Sequence, residues 1–160
     1  MLPSNWRAGL EEVAKQGVFV TPPNDGWVYA VGRDVAVLTA DPSIVEETVA
    51  ALSTEFGQAF WFAADDEREV YGWARAERGS CSRAYAFTEE LGHFLWRGEV
   101  TDDEHALGRF IDDPRDRSDD DVKWWPDRAV VCAMAGRWAA DPSKIAGGVA
   151  PASAGLVGRL

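Results

Sequence analysis

Between residues 58 and 98 the chain carries four strand-like runs, at 58–63, 69–77, 80–87 and 93–98. The separators are Ala64-Asp65-Asp66-Glu67, Arg78-Gly79 and Glu89-Glu90-Leu91-Gly92. A parallel return needs a dozen or more residues, so separators this short allow only antiparallel neighbours. A four-strand antiparallel meander is therefore the central expectation, and it constrains the fold more than any other feature of the chain.

The flanks supply helices. Trp6, Leu10, Val13 and Gly17 recur at helical spacing, which predicts an amphipathic helix over 5–16. Residues 18–21, 27–31 and 34–39 are strand-prone, with Asn24-Asp25-Gly26 as a turn. Asp41-Pro42-Ser43 predicts a helix start, because Asp caps free N–H groups and Pro fits the first turn. Ile44, Val45, Val49 and Leu52 would form that helix's buried stripe, and Gly57 would close it. Thr101-Asp102-Asp103-Glu104 reads as a capping box that opens a short helix. A last helix begins at Pro126, with Val130, Val131, Met134 and Trp138 on one side. The expected fold is α+β: a mainly antiparallel sheet of about five or six strands, with helices packed mainly on one face. Residues 1–144 read as one domain and 145–160 as a Gly/Ala-rich tail.

Period-two alternation separates the faces of the meander. One face is small, built of Ala and Gly. The other is aromatic and carries two arginines: Tyr71, Trp73, Arg75, Arg83, Tyr85 and Trp96. In the fourth run, Phe94 and Trp96 are expected to oppose His93, Leu95 and Arg97. Trp, Tyr and Arg together supply large contact area and oriented donors, so these six are the candidate ligand-binding set. The plainer alternative is that they are half-buried core aromatics under arginine stems.

Charge narrows the function. Lys and Arg total 16 against 27 Asp and Glu, a net charge of −11. Such a surface repels phosphates, which argues against a nucleic-acid partner. Residues 101–121 hold nine acids and three arginines, about half of the excess. Trp124 and Trp125 follow directly. Asp112, Asp113, Asp116, Asp119, Asp120, Asp121, Trp124 and Trp125 are thus candidates for gripping a basic protein surface, since opposite potentials speed encounter and aromatics give buried contact. The same tryptophans could equally anchor the last helix. The acidic run lacks the glycine and terminal glutamate of a calcium loop, and arginines interrupt it, so no metal site is assigned. No P-loop, GxGxxG, GxSxG or HExxH is present. Nothing in the spacing supports a nucleophilic pair of Cys81 with a histidine; any two of Glu77, Glu99 and Glu104 could converge as an acid/base pair, but carboxylates near turns are usually solvated, and neither catalytic residue nor cofactor is expected. No signal peptide is readable and no apolar run reaches the roughly 20 residues of a membrane span. With two cysteines outside any CxxC, the expectation is a cytoplasmic protein with reduced thiols and no membrane contact. Abundant Ala, Gly, Asp and Arg suggest a bacterial source.

The layout Tyr71-Gly72-Trp73-Ala74-Arg75, Gly79, Arg83-Ala84-Tyr85-Ala86-Phe87, Gly98, Thr101 and Glu104, followed by Trp138 and Asp141-Pro142, resembles small bacterial α+β proteins similar to the immunity proteins of toxin systems. The resemblance spans residues 27–142 and implies a partner-binding role without carrying over any catalytic residue. The leading expectation is a non-enzymatic, immunity- or inhibitor-type protein holding a basic partner, a toxin in that setting. The alternative is a small-molecule-binding protein or accessory enzyme, its pocket on the aromatic face and its ligand a small anion.

Overall fold

The computed structural model describes residues 18–21, 23, 26–32, 41–107, 126–141 and 156–158. The expected helix at 5–16, the strand at 34–39, and Asp112, Asp113, Asp116, Asp119, Asp120, Asp121, Trp124 and Trp125 lie outside the described residues. The chain divides into two compact units, residues 1–38 with 142–160, and residues 39–141.

In the first unit, β1 (Val18–Val20) is the centre of a three-stranded antiparallel sheet. It lies between β2 (Ala30–Val31) and β7 (Leu156–Gly158). The strand expected over 27–31 is thus shorter, and part of the stretch read as a tail is a strand. Thr21 closes the β1–β2 connection: its N–H donates to the Tyr29 carbonyl at 2.8 Å, and its hydroxyl accepts from the Tyr29 N–H at 3.1 Å.

The second unit holds the meander. Strands β3 (Gln58–Asp65), β4 (Val70–Glu77), β5 (Ser80–Thr88) and β6 (Gly92–Arg97) pair antiparallel in chain order. The α+β class and the antiparallel sheet stand as the sequence predicts. The β4–β5 turn is only Arg78-Gly79, with φ of 49° and 84°. Positive φ at both positions is the backbone twist that a two-residue hairpin between twisted strands requires.

Helix α1 (Pro42–Phe56) starts as expected, with Asp41 as cap: its carboxylate accepts from the Ser43 N–H at 3.0 Å. It lies over β3, β4 and β5. That side of the sheet is the small one, with Ala59, Ala63, Ala74, Ala76, Ala84 and Ala86 all buried. On the two central strands this side is only Ala and Gly, flanked by buried Trp61 and Leu95 on the outer strands, which lets a helix approach closely along a narrow line. That line is Val45, Val49 and Ser53, at spacing of four. Ile44 and Leu52 were expected in the stripe, but they overhang it and remain 42% and 44% exposed. Ser53 is fully buried because its hydroxyl accepts from the Gly79 N–H at 2.8 Å, tying α1 to the β4–β5 turn.

Short α2 (Asp102–His105) carries the capping box: the Thr101 hydroxyl accepts from the Glu104 N–H, and the Glu104 carboxylate accepts from the Thr101 N–H at 2.7 Å. Helix α3 (Arg128–Trp138) is capped by Asp127 and packs on the aromatic side against β3 and β4. Val130, Val131 and Met134 join Trp73, Tyr85 and Phe87 in one core.

Two bulges break the strict alternation. Residues pair Arg75↔Arg83 and then Ala76↔Cys81, so Ser82 is extra in β5. Residues pair Ala86↔Leu95 and then Phe87↔His93, so Phe94 is extra in β6. The second bulge corrects the expected faces of β6. It turns His93 onto the aromatic side, where its ring lies 5.9 Å from Trp96 and 5.6 Å from Tyr85.

Candidate functional site

The register brings the six predicted residues Tyr71, Trp73, Arg75, Arg83, Tyr85 and Trp96 onto one face. Trp73 sits opposite Tyr85, Arg75 opposite Arg83, and Tyr85 opposite Trp96. They divide by burial. Trp73, Arg83 and Tyr85 are 0%, 1% and 0% exposed, whereas Tyr71, Arg75 and Trp96 are half-buried.

The buried group is organised by Glu104, itself fully buried on α2. Its carboxylate accepts from Arg83 Nε at 2.9 and 3.0 Å and from Trp73 Nε1 at 2.9 Å, besides its capping bond to Thr101. Arg83 Nη2 lies 2.8 Å from Oε1, an ion-pair contact without hydrogen-bond alignment. Nη1 donates to the carbonyls of Arg97 and Gly98 at 3.1 and 3.3 Å. The guanidinium also lies over the Trp96 ring, 4.6 Å from its centroid. A buried charge persists only when paired and hydrogen-bonded, and Arg83 is both. From the sequence Glu104 reads as a capping-box residue and a carboxylate near a turn, not as the partner of a buried arginine. The signal that identifies it is an arginine amid a tryptophan and tyrosine face, which demands a nearby counter-charge.

Tyr85 continues the network, with its hydroxyl 3.0 Å from His93 Nδ1. Burial above all pushes its ionisation far upward, so it stays neutral. Arg75 is not among the donors to Glu104. Its Nε donates to the Ser82 hydroxyl at 3.3 Å, and its guanidinium lies 5.1 Å from the Trp138 ring centroid. Trp138 is held by its own N–H, which donates to Asp103 at 3.1 Å, while Asp103 pairs with Arg137 at 3.3 Å.

The meander's other notable feature is charge at one end. The β3–β4 and β5–β6 turns fall at the same end of the sheet, and Val70↔Thr88 pairing sets them side by side. That end carries Asp65, Asp66, Glu67, Glu69, Glu89 and Glu90 against Arg68, which lies 3.9 Å from Asp65, and Leu91 there is 63% exposed. Asp66 is paired: Arg128 Nε donates to it at 2.8 Å, and this bond chiefly holds its carboxyl below the usual aspartate range. Glu69 is the reverse case. Its hydrogen bond with Glu89 and then their repulsion hold its carboxyl above the usual glutamate range. Glu69 also has a φ of 52°, a conformation that side-chain-bearing residues rarely take.

Among the described residues, no group of three or more His, Cys, Asp or Glu is placed to hold a metal ion. No helix among them is long and apolar enough to cross a membrane. Cys81 is buried and Cys132 half-buried, and burial chiefly pushes both thiols up, away from the reactive thiolate. A scan against protein-family models matches none, and no curated protein or solved structure matches the chain.

Proposed function

We propose that this protein is a non-enzymatic, acidic binding protein of the immunity or inhibitor kind, which captures a basic protein partner in the cytoplasm. The observation that carries the reading is the acidic end of the meander, where the Val70↔Thr88 pairing sets the 65–69 turn beside Glu89 and Glu90. Like charges set side by side repel, and Glu69 stands there on a left-handed backbone, so the arrangement opposes stability. A chain that keeps such a cluster has a use for the field it creates. A concentrated negative surface speeds encounter with a basic partner and disfavours neutral and acidic ones. The acids at 112–121 have the same sign and extend the argument from sequence. The reading as a small-molecule protein with a pocket lined by all six aromatic-face residues has less support, because Trp73, Arg83 and Tyr85 are already occupied by one another and by Glu104.

The test is a pull-down from source lysate at low salt, followed by reconstitution with the purified captured protein. A basic protein should bind saturably, with an association rate that falls steeply as salt rises. Reversal variants Glu67→Lys with Glu90→Lys, and separately Asp112→Lys with Asp113→Lys, should slow association. If no basic protein binds the purified chain, the reading fails.

A further inference from the structure

We propose that Arg75, Ser82 and Trp138 form a binding site for a carboxylate borne on an apolar or aromatic group. The site does not depend on partner capture. It rests on a contrast between two arginines that face each other across β4 and β5. Arg83 is committed: its donors go to Glu104 and to the carbonyls of Arg97 and Gly98. Arg75 is half-buried, yet among the described residues no carboxylate lies within ion-pair reach of it. Its Nε is fixed by Ser82, which leaves the Nη fork, the geometry that a carboxylate accepts in bidentate fashion.

The surroundings are shaped for such a ligand. The bulge at Ser82 breaks alternation, so two successive β5 side chains, Ser82 and Arg83, serve the same face. The Ser82 hydroxyl accepts from Arg75 and keeps its own hydrogen, which can be donated to an oxyanion. The Trp138 ring lies beneath the guanidinium and packs 6.2 Å from Phe60 and 6.3 Å from Phe62, making an aromatic wall. Asp103 fixes the indole through its N–H, and Arg137 balances the Asp103 charge. Charge selects the class of ligand. One guanidinium matches one negative charge, and the net −11 of the chain repels multiply charged anions. A monocarboxylate with an apolar body therefore fits better than a phosphate.

The experiment is an NMR titration of the full ¹⁵N-labelled chain with sodium benzoate, against sodium chloride of equal ionic strength. The Arg75 Nε–H, the Trp138 indole N–H and the Ser82 amide should shift saturably, with half-saturation on the order of 1 mM. Arg75→Gln should weaken binding about tenfold and Ser82→Ala severalfold, since each removes a donor to a charged acceptor. Ser82 is exposed, so Ser82→Ala decides the matter even if Arg75→Gln perturbs folding. Inorganic phosphate should bind more weakly than benzoate. Absence of saturation, or saturation unchanged in Ser82→Ala, overturns the site. An equal response to phosphate overturns its assignment to carboxylates.

Discussion

Arg83 and Glu104, 21 residues apart in sequence, form an ion pair with 1% and 0% of their side chains exposed. Every hydrogen bond to the Glu104 carboxylate comes from a group that positions α2: the β5 guanidinium, the β4 indole and the helix's own cap. Removing one partner leaves the other charge buried and uncompensated. Glu104→Ala is predicted to cost about 3–5 kcal/mol of unfolding free energy, and Arg83→Ala about as much. The apolar double replacement Arg83→Met with Glu104→Leu should recover much of that loss. A double-mutant cycle in urea, with Arg83→Met and Glu104→Leu made singly and together, reads this directly. Additive losses would mean that the two side chains do not act as a pair.

Gly72, on the small face, has no room for a side chain. A Cβ there would lie 2.8 Å from Trp61 Cζ3 and 2.8 Å from the Tyr85 carbonyl oxygen. The second contact is with backbone, which cannot swing away. Gly72→Ala is therefore predicted to destabilise by about 1–3 kcal/mol, as overpacking of a filled core does. Thermal unfolding of Gly72→Ala beside Ala74→Gly separates overpacking from a simple change of strand propensity.

Arg78 occupies the left-handed region in the β4–β5 turn, with its side chain 85% exposed. Its 3.6 Å contact with Glu77 is a surface pair of little worth. Asn tolerates this backbone better and leads Gly in favoured two-residue hairpins. Arg78→Asn should raise stability by roughly 0.5–1 kcal/mol, seen as a higher melting temperature with an unchanged denaturant slope.

Asp66 and Glu69 predict opposite pH responses. The Asp66 pKa is lowered in the folded chain, chiefly by Arg128, so its favourable contribution is present above the unfolded value and lost as pH falls through the folded one. The Glu69 pKa is raised, so its contribution is unfavourable at neutral pH and is relieved as pH falls through the raised value. Glu89→Gln should thus raise the melting temperature at pH 7, the gain fading on acidification. Asp66→Asn should lower it at pH 7, with the loss fading likewise. Melting curves taken from pH 7 down to pH 3 test both signs.

The meander was legible because short separators leave the backbone no topological choice, and the caps were legible because Asp41 and Thr101 act within a few residues of themselves. The bulges at Ser82 and Phe94 were not legible: each depends on pairing with a neighbouring strand, and alternation alone sends His93 to the wrong side. Ile44 and Leu52 were misplaced because periodicity gives a direction but not the width of the surface met. The co-location of the six aromatic-face residues followed from alternation. What divides them, Glu104 beneath Arg83 and Trp138 beneath Arg75, arrives from helices distant in sequence.

Burial of Cys81 turns that side chain into an internal clock. Its sulfur faces the Arg83 carbonyl at 3.6 Å, next to the residue that holds α2 to the sheet. An alkylating reagent should modify the half-buried Cys132 first. It reaches Cys81 only when β5 opens, so the lag between the two adducts in a mass spectrum times how often the sheet comes apart while the protein is still, on average, folded.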